Sequence, residues 1–265
     1  MDLIKIVVAL IIVFTPLSVA AQRIAIMGAM DQEISLLQEA MTNQKRIQRG
    51  GVDFYKGKIG KQKVILLKAG VGKVNAAYST AVLTQNFNIS SLIFTGVAGG
   101  LHPEIMAGDI VIGENLLQYD FGSLNEKNFE LWPFYKIEGG RHEAPYIEAD
   151  SNLLALSLKA SEMVEFSPVI KRPPRIFSGT ISTGDLFISN KEKANYLYSE
   201  YNSLATEMEG AAVAHICRSL DIPFIVLRSC SDNAQGEALV SFTSFVGPAS
   251  ENSALLVMGI LELME

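Results

Sequence analysis

Three short, largely apolar strands near the start of this chain each run straight into glycine. Arg23-Ile24-Ala25-Ile26-Met27 leads into Gly28-Ala29-Met30, Lys63 to Lys68 into Ala69-Gly70-Val71-Gly72, and Ser91 to Thr95 into Gly96-Val97-Ala98-Gly99-Gly100. Strands without polar alternation must be covered on both faces, and glycine lets the chain turn tightly from strand to helix. The repeated order strand, glycine turn, helix therefore predicts an α/β protein with a largely parallel sheet covered by helices on both faces. Ligands of such sheets lie beyond the carboxyl ends of the strands, so chemistry is expected at these junctions.

The remaining elements follow from periodicity and punctuation. Asp31 is placed to cap a helix whose Ile34, Leu37 and Met41 recur at helical spacing. Val52 to Ile59 and Lys63 to Lys68 read as a hairpin around Gly60-Lys61, followed by a helix from Lys73 to Phe87. Asp109 to Gly113 reads as a strand, and Glu114 to Tyr146 as an aromatic, irregular segment. Asp150 starts a helix reaching Val164, Arg175 to Ser182 is a strand after Pro173-Pro174, and Lys191 to Tyr198 is helical. A helix from Ala211 to Leu220 precedes a buried strand, Ile222 to Leu227. Ser241 to Met264 closes the chain as a helix with a break at Gly247-Pro248. No linker interrupts residues 22–265, which read as one domain.

The N-terminus differs from the rest. A continuous apolar run, Ile6 to Phe14, is followed by Thr15-Pro16-Leu17-Ser18-Val19-Ala20-Ala21, with Val19 and Ala21 at the −3 and −1 positions of a cleavage site. Residues 1–21 therefore read as a secretory signal peptide, which places the mature protein in the bacterial periplasm or outside the cell, free of the membrane. An uncleaved anchor is the alternative. Cys217 and Cys230 are the only cysteines. In an exported protein they could pair, while their places in regular elements suit inert buried thiols.

Charge and composition narrow the function classes. The net charge is −6 and no basic run occurs, so the sequence offers no signal for a nucleic-acid or membrane-surface partner. His102, His142 and His215 are far apart and make no metal-ligand spacing, so neither a metal nor another cofactor is expected. No Gly-x-Ser-x-Gly elbow supports a serine nucleophile. The glycine motifs match neither the phosphate loop nor the dinucleotide fingerprint.

Carboxylates are what remain. Glu33, Asp185, Glu207, Glu209 and Asp232 all fall at junctions of strand, loop and helix. Glu207 and Glu209 close a short strand in Thr206-Glu207-Met208-Glu209-Gly210, and Asp232 follows the next strand in Arg228-Ser229-Cys230-Ser231-Asp232. Each has a plain alternative: a negative charge suits a helix start, and Asp185 could simply serve the turn after Gly184. Together they fit hydrolysis of a glycosidic bond, which needs one acid and one base around an oxocarbenium-like sugar.

Six ordered motifs carry a resemblance. Ile26-Met27-Gly28-Ala29-Met30-Asp31-Gln32-Glu33, Ala69-Gly70-Val71-Gly72-Lys73-Val74, Thr95-Gly96-Val97-Ala98-Gly99-Gly100, Ser182-Thr183-Gly184-Asp185-Leu186-Phe187-Ile188, Thr206-Glu207-Met208-Glu209-Gly210-Ala211-Ala212 and Ser231-Asp232-Asn233-Ala234 resemble the 5′-methylthioadenosine/S-adenosylhomocysteine nucleosidase family. The resemblance implies a nucleoside phosphorylase/hydrolase fold of three layers, with a central mixed, mostly parallel sheet flanked by helices, a homodimer, and an adenine nucleoside as substrate. It also implies roles. Glu33, helped by Arg228 and Glu207, would activate water; Met208 and Glu209 would bind ribose. Asp232 would protonate N7 of adenine with Ser231 orienting it, Phe187 would stack on the purine, and the Ile188 backbone would read its edge. Met30 and Val97 would line the same site.

Two departures from the family matter. Val97 stands where many members carry a small hydroxyl residue. The segment from Tyr119 to Tyr146 is longer than the family pattern, and its aromatics could reshape the pocket or pack between subunits. Within enzymes, a phosphorolytic relative would need arginines near Gly28, and Met27-Gly28-Ala29-Met30 offers none. A nucleosidase for a 5′-deoxyadenosine or futalosine-type substrate, and an exported nucleoside-binding protein without catalysis, are the other readings.

Overall fold

The computed structural model describes residues 22–126, 128–136, 139–140, 144–170, 172–234 and 238–264. Residues 1–21, where the signal peptide is expected, and His142 lie outside these. The chain folds in the order β1 (Arg23–Gly28), α1 (Asp31–Glu39), β2 (Thr42–Arg49), β3 (Val52–Ile59), β4 (Gln62–Lys68), α2 (Lys73–Asn86), β5 (Ile89–Gly100) and β6 (Ile110–Gln118). Then come β7 (Gly122–Leu124), β8 (Phe129–Leu131), β9 (Tyr146–Glu148), α3 (Ser151–Met163), β10 (Ile176–Thr183), α4 (Lys191–Tyr201), β11 (Ser203–Glu207), α5 (Gly210–Ser219), β12 (Phe224–Asp232) and α6 (Ala238–Leu263).

The main sheet runs β11-β10-β6-β12-β5-β1-β4-β3-β2, with β9 beside β6. Its centre is parallel: β4, β1, β5 and β12 run together. The β6–β12 pair and the β2–β3–β4 wing are antiparallel, so the sheet is mixed as expected. One further pairing shapes the molecule. Ala205 and Thr206 of β11 pair with Gly100 and Gly99 at the end of β5, closing β5, β12, β6, β10 and β11 into a ring.

Helices cover both faces. On one, Ala76 and Leu83 of α2 and Ala211, Val213 and Cys217 of α5 pack with Phe54, Ile65, Leu92 and Phe94. On the other, Ile34 and Leu37 of α1, Leu153 and Ala160 of α3, and Leu256, Val257 and Ile260 of α6 pack with Ile26, Ile93 and Ile225. Cys217 and Cys230 are both free and buried. Among the described residues no helix is long and apolar enough to cross a membrane.

Several local expectations change. Met30, not Asp31, is the N-cap of α1; Asp31 instead pairs with Lys68 at 2.8 Å. The glycines 96–100 do not turn but continue β5, because their backbone pairs with both β12 and β11. Strands β6 and β12 run well past the apolar stretches that announced them. Helix α6 continues through Gly247-Pro248 without a break.

Candidate active site

All the strand ends that matter open toward one cavity of about 230 Å³. Met30 and Glu33 reach it after β1, Val97, Ala98 and Gly99 from β5, Phe187 and Ile188 after β10, Glu207 to Glu209 after β11, and Ser231 and Asp232 from β12. β1, β5 and β12 run parallel and end at the cavity, while β10 and β11, parallel to each other and antiparallel to β5 and β12, bring their own carboxyl ends to it through the β11–β5 pairing.

Glu33 is nearly fully buried, and its carboxylate binds three amides. Its Oε2 accepts from Ala29 N at 2.5 Å and Met30 N at 2.9 Å, and Oε1 accepts from Val97 N at 2.9 Å. Burial raises its pKa, against the pull of Arg228 and those three amides. Arg228 is completely buried behind the cavity wall and does not line it. Its Nη2 lies 2.6 Å from Glu207 Oε2 and 3.7 Å from Glu209 Oε2, and its guanidinium stacks 4.2 Å from the centre of the Phe94 ring. Burial alone would lower the pKa of Arg228, but the charges of Glu207, Glu33 and Glu209 hold it up. A Cβ on Gly96 would stand 2.4 Å from Glu33 Oε1 and 2.6 Å from Arg228 Nη1, so glycine there lets the acid and the cation share one space.

Glu207 does what its plain alternative suggested and more. Its Oε2 accepts from Glu209 N at 3.0 Å and Gly210 N at 2.7 Å, at the start of α5, while Oε1 accepts from the Thr183 hydroxyl. The same carboxylate therefore holds both the helix terminus and Arg228. Glu209 Oε1 accepts from Gly72 N at 2.8 Å. Burial, with the neighbouring Glu207 charge, pushes the Glu209 pKa up to about 8 despite Arg228. Across the cavity, Asp232 accepts from Ala234 N at 2.7 Å and the Ser231 hydroxyl at 3.0 Å. Burial still pushes it up to about 6.

Asp185 does not join this group. Its Oδ1 accepts from Lys73 N at 2.8 Å at the start of α2, so the turn and helix role accounts for it. Lys73 Nζ in turn pairs with Asp120 at 2.5 Å. No described residue of the long segment 119–146 lines the cavity; Phe134 packs on His215, and Phe121 meets Trp132 edge to face. Seven lining residues had no role in the sequence reading of the site, Val71, Leu186 and Phe242 among them. Val71 and Leu186 sit inside quoted motifs. Phe242 is on α6, edge-on to Phe187 at 5.7 Å, and nothing in its local pattern sets it apart.

A sheet with acids gathered at its strand ends and no arginine among the described residues of the cavity wall defines a class before any particular protein. The family model described as the phosphorylase superfamily matches residues 23–262. A Mycobacterium bovis 5′-methylthioadenosine/S-adenosylhomocysteine nucleosidase is 34% identical over 92% of this chain and 98% of its own length. The Bacillus thuringiensis enzyme of the same name is 35% identical over 91% and 98%. Among solved structures, the Neisseria meningitidis nucleosidase in complex with methylthio-immucillin-A superposes with a TM-score of 0.80 at 31% identity, over 92% of this chain and all (100%) of that one. A Helicobacter pylori structure described as futalosine hydrolase gives 0.78 at 31% identity, over 91% and 98%. The chain belongs to the 5′-methylthioadenosine/S-adenosylhomocysteine nucleosidase family of the phosphorylase superfamily.

Proposed function

We propose that residues 22–265 form one catalytic unit that hydrolyses the N-glycosidic bond of 5′-methylthioadenosine or S-adenosylhomocysteine, releasing adenine and a 5-thio-substituted ribose. The observation that carries this reading is the pairing of Glu33 and Asp232 across one small cavity, the first held ready by three amides and the second raised to about 6. Glu33 takes a proton from the attacking water. Arg228 and Glu207 act through it as positioning residues. Asp232 gives its proton to N7 of adenine, which turns the base into a neutral leaving group. Glu209 accepts from the ribose hydroxyls beside Met208, and the cluster of carboxylates stabilises the cationic sugar. Phe187 stacks on the purine while the Ile188 backbone and Ser231 orient it; Met30 and Val97 complete the walls. The reaction needs no metal or cofactor.

The protein acts as an exported homodimer in this proposal. The exposed apolar rim of Val71, Leu186 and Phe187 supports a second copy at the cavity mouth. Adenine release from 5′-methylthioadenosine in phosphate-free buffer tests the reaction. Free adenine with methylthioribose is the expected outcome. Turnover only with phosphate would move the reading to a phosphorylase, and turnover only of a futalosine-type nucleoside would move it to that alternative. Adenine binding without turnover of any of these would leave a binding protein.

A further inference from the structure

The five cations Lys45, Arg49, Lys56, Lys58 and Lys63 are scattered over nineteen positions of sequence and form no run, yet the fold gathers them. In the antiparallel wing Lys45 stands opposite Lys56, and Lys58 opposite Lys63. Side chains alternate along a strand, so these four and Arg49 share the face that carries Phe54 and Ile65. The one carboxylate of the wing, Asp53, is on the other face with Arg46, at 2.6 Å. Helix α2, which covers the same side of the sheet, has no acidic residue (KVNAAYSTAVLTQN). Like charges directly opposite each other destabilise a sheet. Lysine on an edge strand can be explained as protection against strand pairing, but only β2 is an edge here; Lys56 and Lys58 are on β3 and Lys63 on β4.

We propose that this basic face docks on the surface of an anionic lipid bilayer. The start of the fold lies at the same place: Arg23, the first residue of β1, donates from Nη1 to the Gly57 carbonyl at 3.2 Å, between Lys56 and Lys58. The apolar run Ile6 to Phe14 is joined to Arg23 by the eight residues Thr15 to Gln22, a reach of at most about 28 Å. While attached, that run adds to the binding; the lysines suffice to orient the body after its removal. Lys58 and Lys63 stand at the Arg23 end of the sheet and Arg49, opposite Val52, toward the Gly28 end where the cavity opens, so a body held chiefly at its Lys58 and Lys63 end keeps the site away from the bilayer. Each lysine near an anionic surface is worth about five-fold in partitioning at low salt.

The test is sedimentation of the full chain, as isolated, with vesicles of phosphatidylcholine alone or with about 30% phosphatidylglycerol, beside a variant carrying Lys45→Gln, Lys56→Gln, Lys58→Gln and Lys63→Gln. The expected result is binding at least ten-fold stronger to the anionic vesicles than to phosphatidylcholine alone, an excess lost in 0.5 M salt and in the variant. Unchanged thermal melting and adenine release show that the variant is folded, since its substitutions lie far from the cavity. Equal binding to both vesicle types, or an anionic preference that survives in the folded variant, overturns the proposal. So does retention on duplex DNA with no vesicle binding, which would assign the face to a nucleic acid. Should the four-residue variant melt early, the pair Lys58→Gln and Lys63→Gln carries the same test with an expected loss of at least ten-fold.

Discussion

Asp232 and Glu33 have opposite tasks in the proposed reaction, and their surroundings differ accordingly. Asp232 must hold a proton; with its pKa near 6, the protonated fraction falls as pH rises above that value. The rate of adenine release should therefore decline on the alkaline side, and Asp232→Asn should lower kcat by about 10²–10⁴ and remove that decline. A pH profile of kcat/KM for both proteins decides; an unchanged limb in the variant would assign it elsewhere. Glu33→Gln should abolish turnover while adenine still binds, because the amide cannot accept the water's proton. Isothermal titration beside the rate assay separates the two effects. Gly96→Ala is the harshest small change available. Its methyl would meet both Glu33 and Arg228, so a loss of at least ten-fold in kcat is expected, together with a lower melting temperature.

Elements show where sequence is readable and where it is not. Helix α3 was legible to within a residue because Asp150 caps it, accepting from Asn152 N at 3.0 Å and Leu153 N at 2.9 Å. Asp150→Ala should cost about 1 kcal/mol and lower the melting temperature by about 2–4 °C, measurable by calorimetry. Strand β2 was not legible. Its sequence TNQKRIQR is polar on both faces and almost wholly exposed, so it has neither alternation nor an apolar run. The glycines of β5 misled in a different way: their composition reads as a turn, but they are glycine because Glu33, Arg228 and Asp232 crowd the strand. Pro248 marks a real division without breaking α6. All but one of the residues before it are exposed or half-buried, whereas the turns from Ala249 onward are largely buried against the sheet, and that packing offsets the missing backbone hydrogen bond. The acids of the site were legible from their places at strand ends. Phe242 was not, because only the folded path of α6 brings it over the cavity.

For the molecule as a whole, the buried acids tie stability to pH. Asp232 and Glu209 have folded pKa values of about 6 and about 8, above the ordinary carboxylate range, and burial raises Glu33 as well. The unfolded chain gives up these protons first as pH rises. Their contribution is thus fully present below about pH 4 and is lost as pH climbs through 6 and then 8. The unliganded protein should melt at progressively lower temperature from pH 5.5 to 8.5, and Glu209→Gln should flatten the upper part of that decline. A wild-type melting curve independent of pH over this range would mean that the acids are ionised throughout. The ring closed by β11 against β5 has a consequence for how the protein comes to be. The pocket joins Glu33 to Val97 across 64 positions and Gly72 to Glu209 across 137. Such distant partners meet only after the intervening loops have closed, late in folding. A nascent chain that has emerged as far as β10 already contains most of the sheet but none of Glu207, Glu209, Arg228 or Asp232, so it is catalytically silent until its last third arrives.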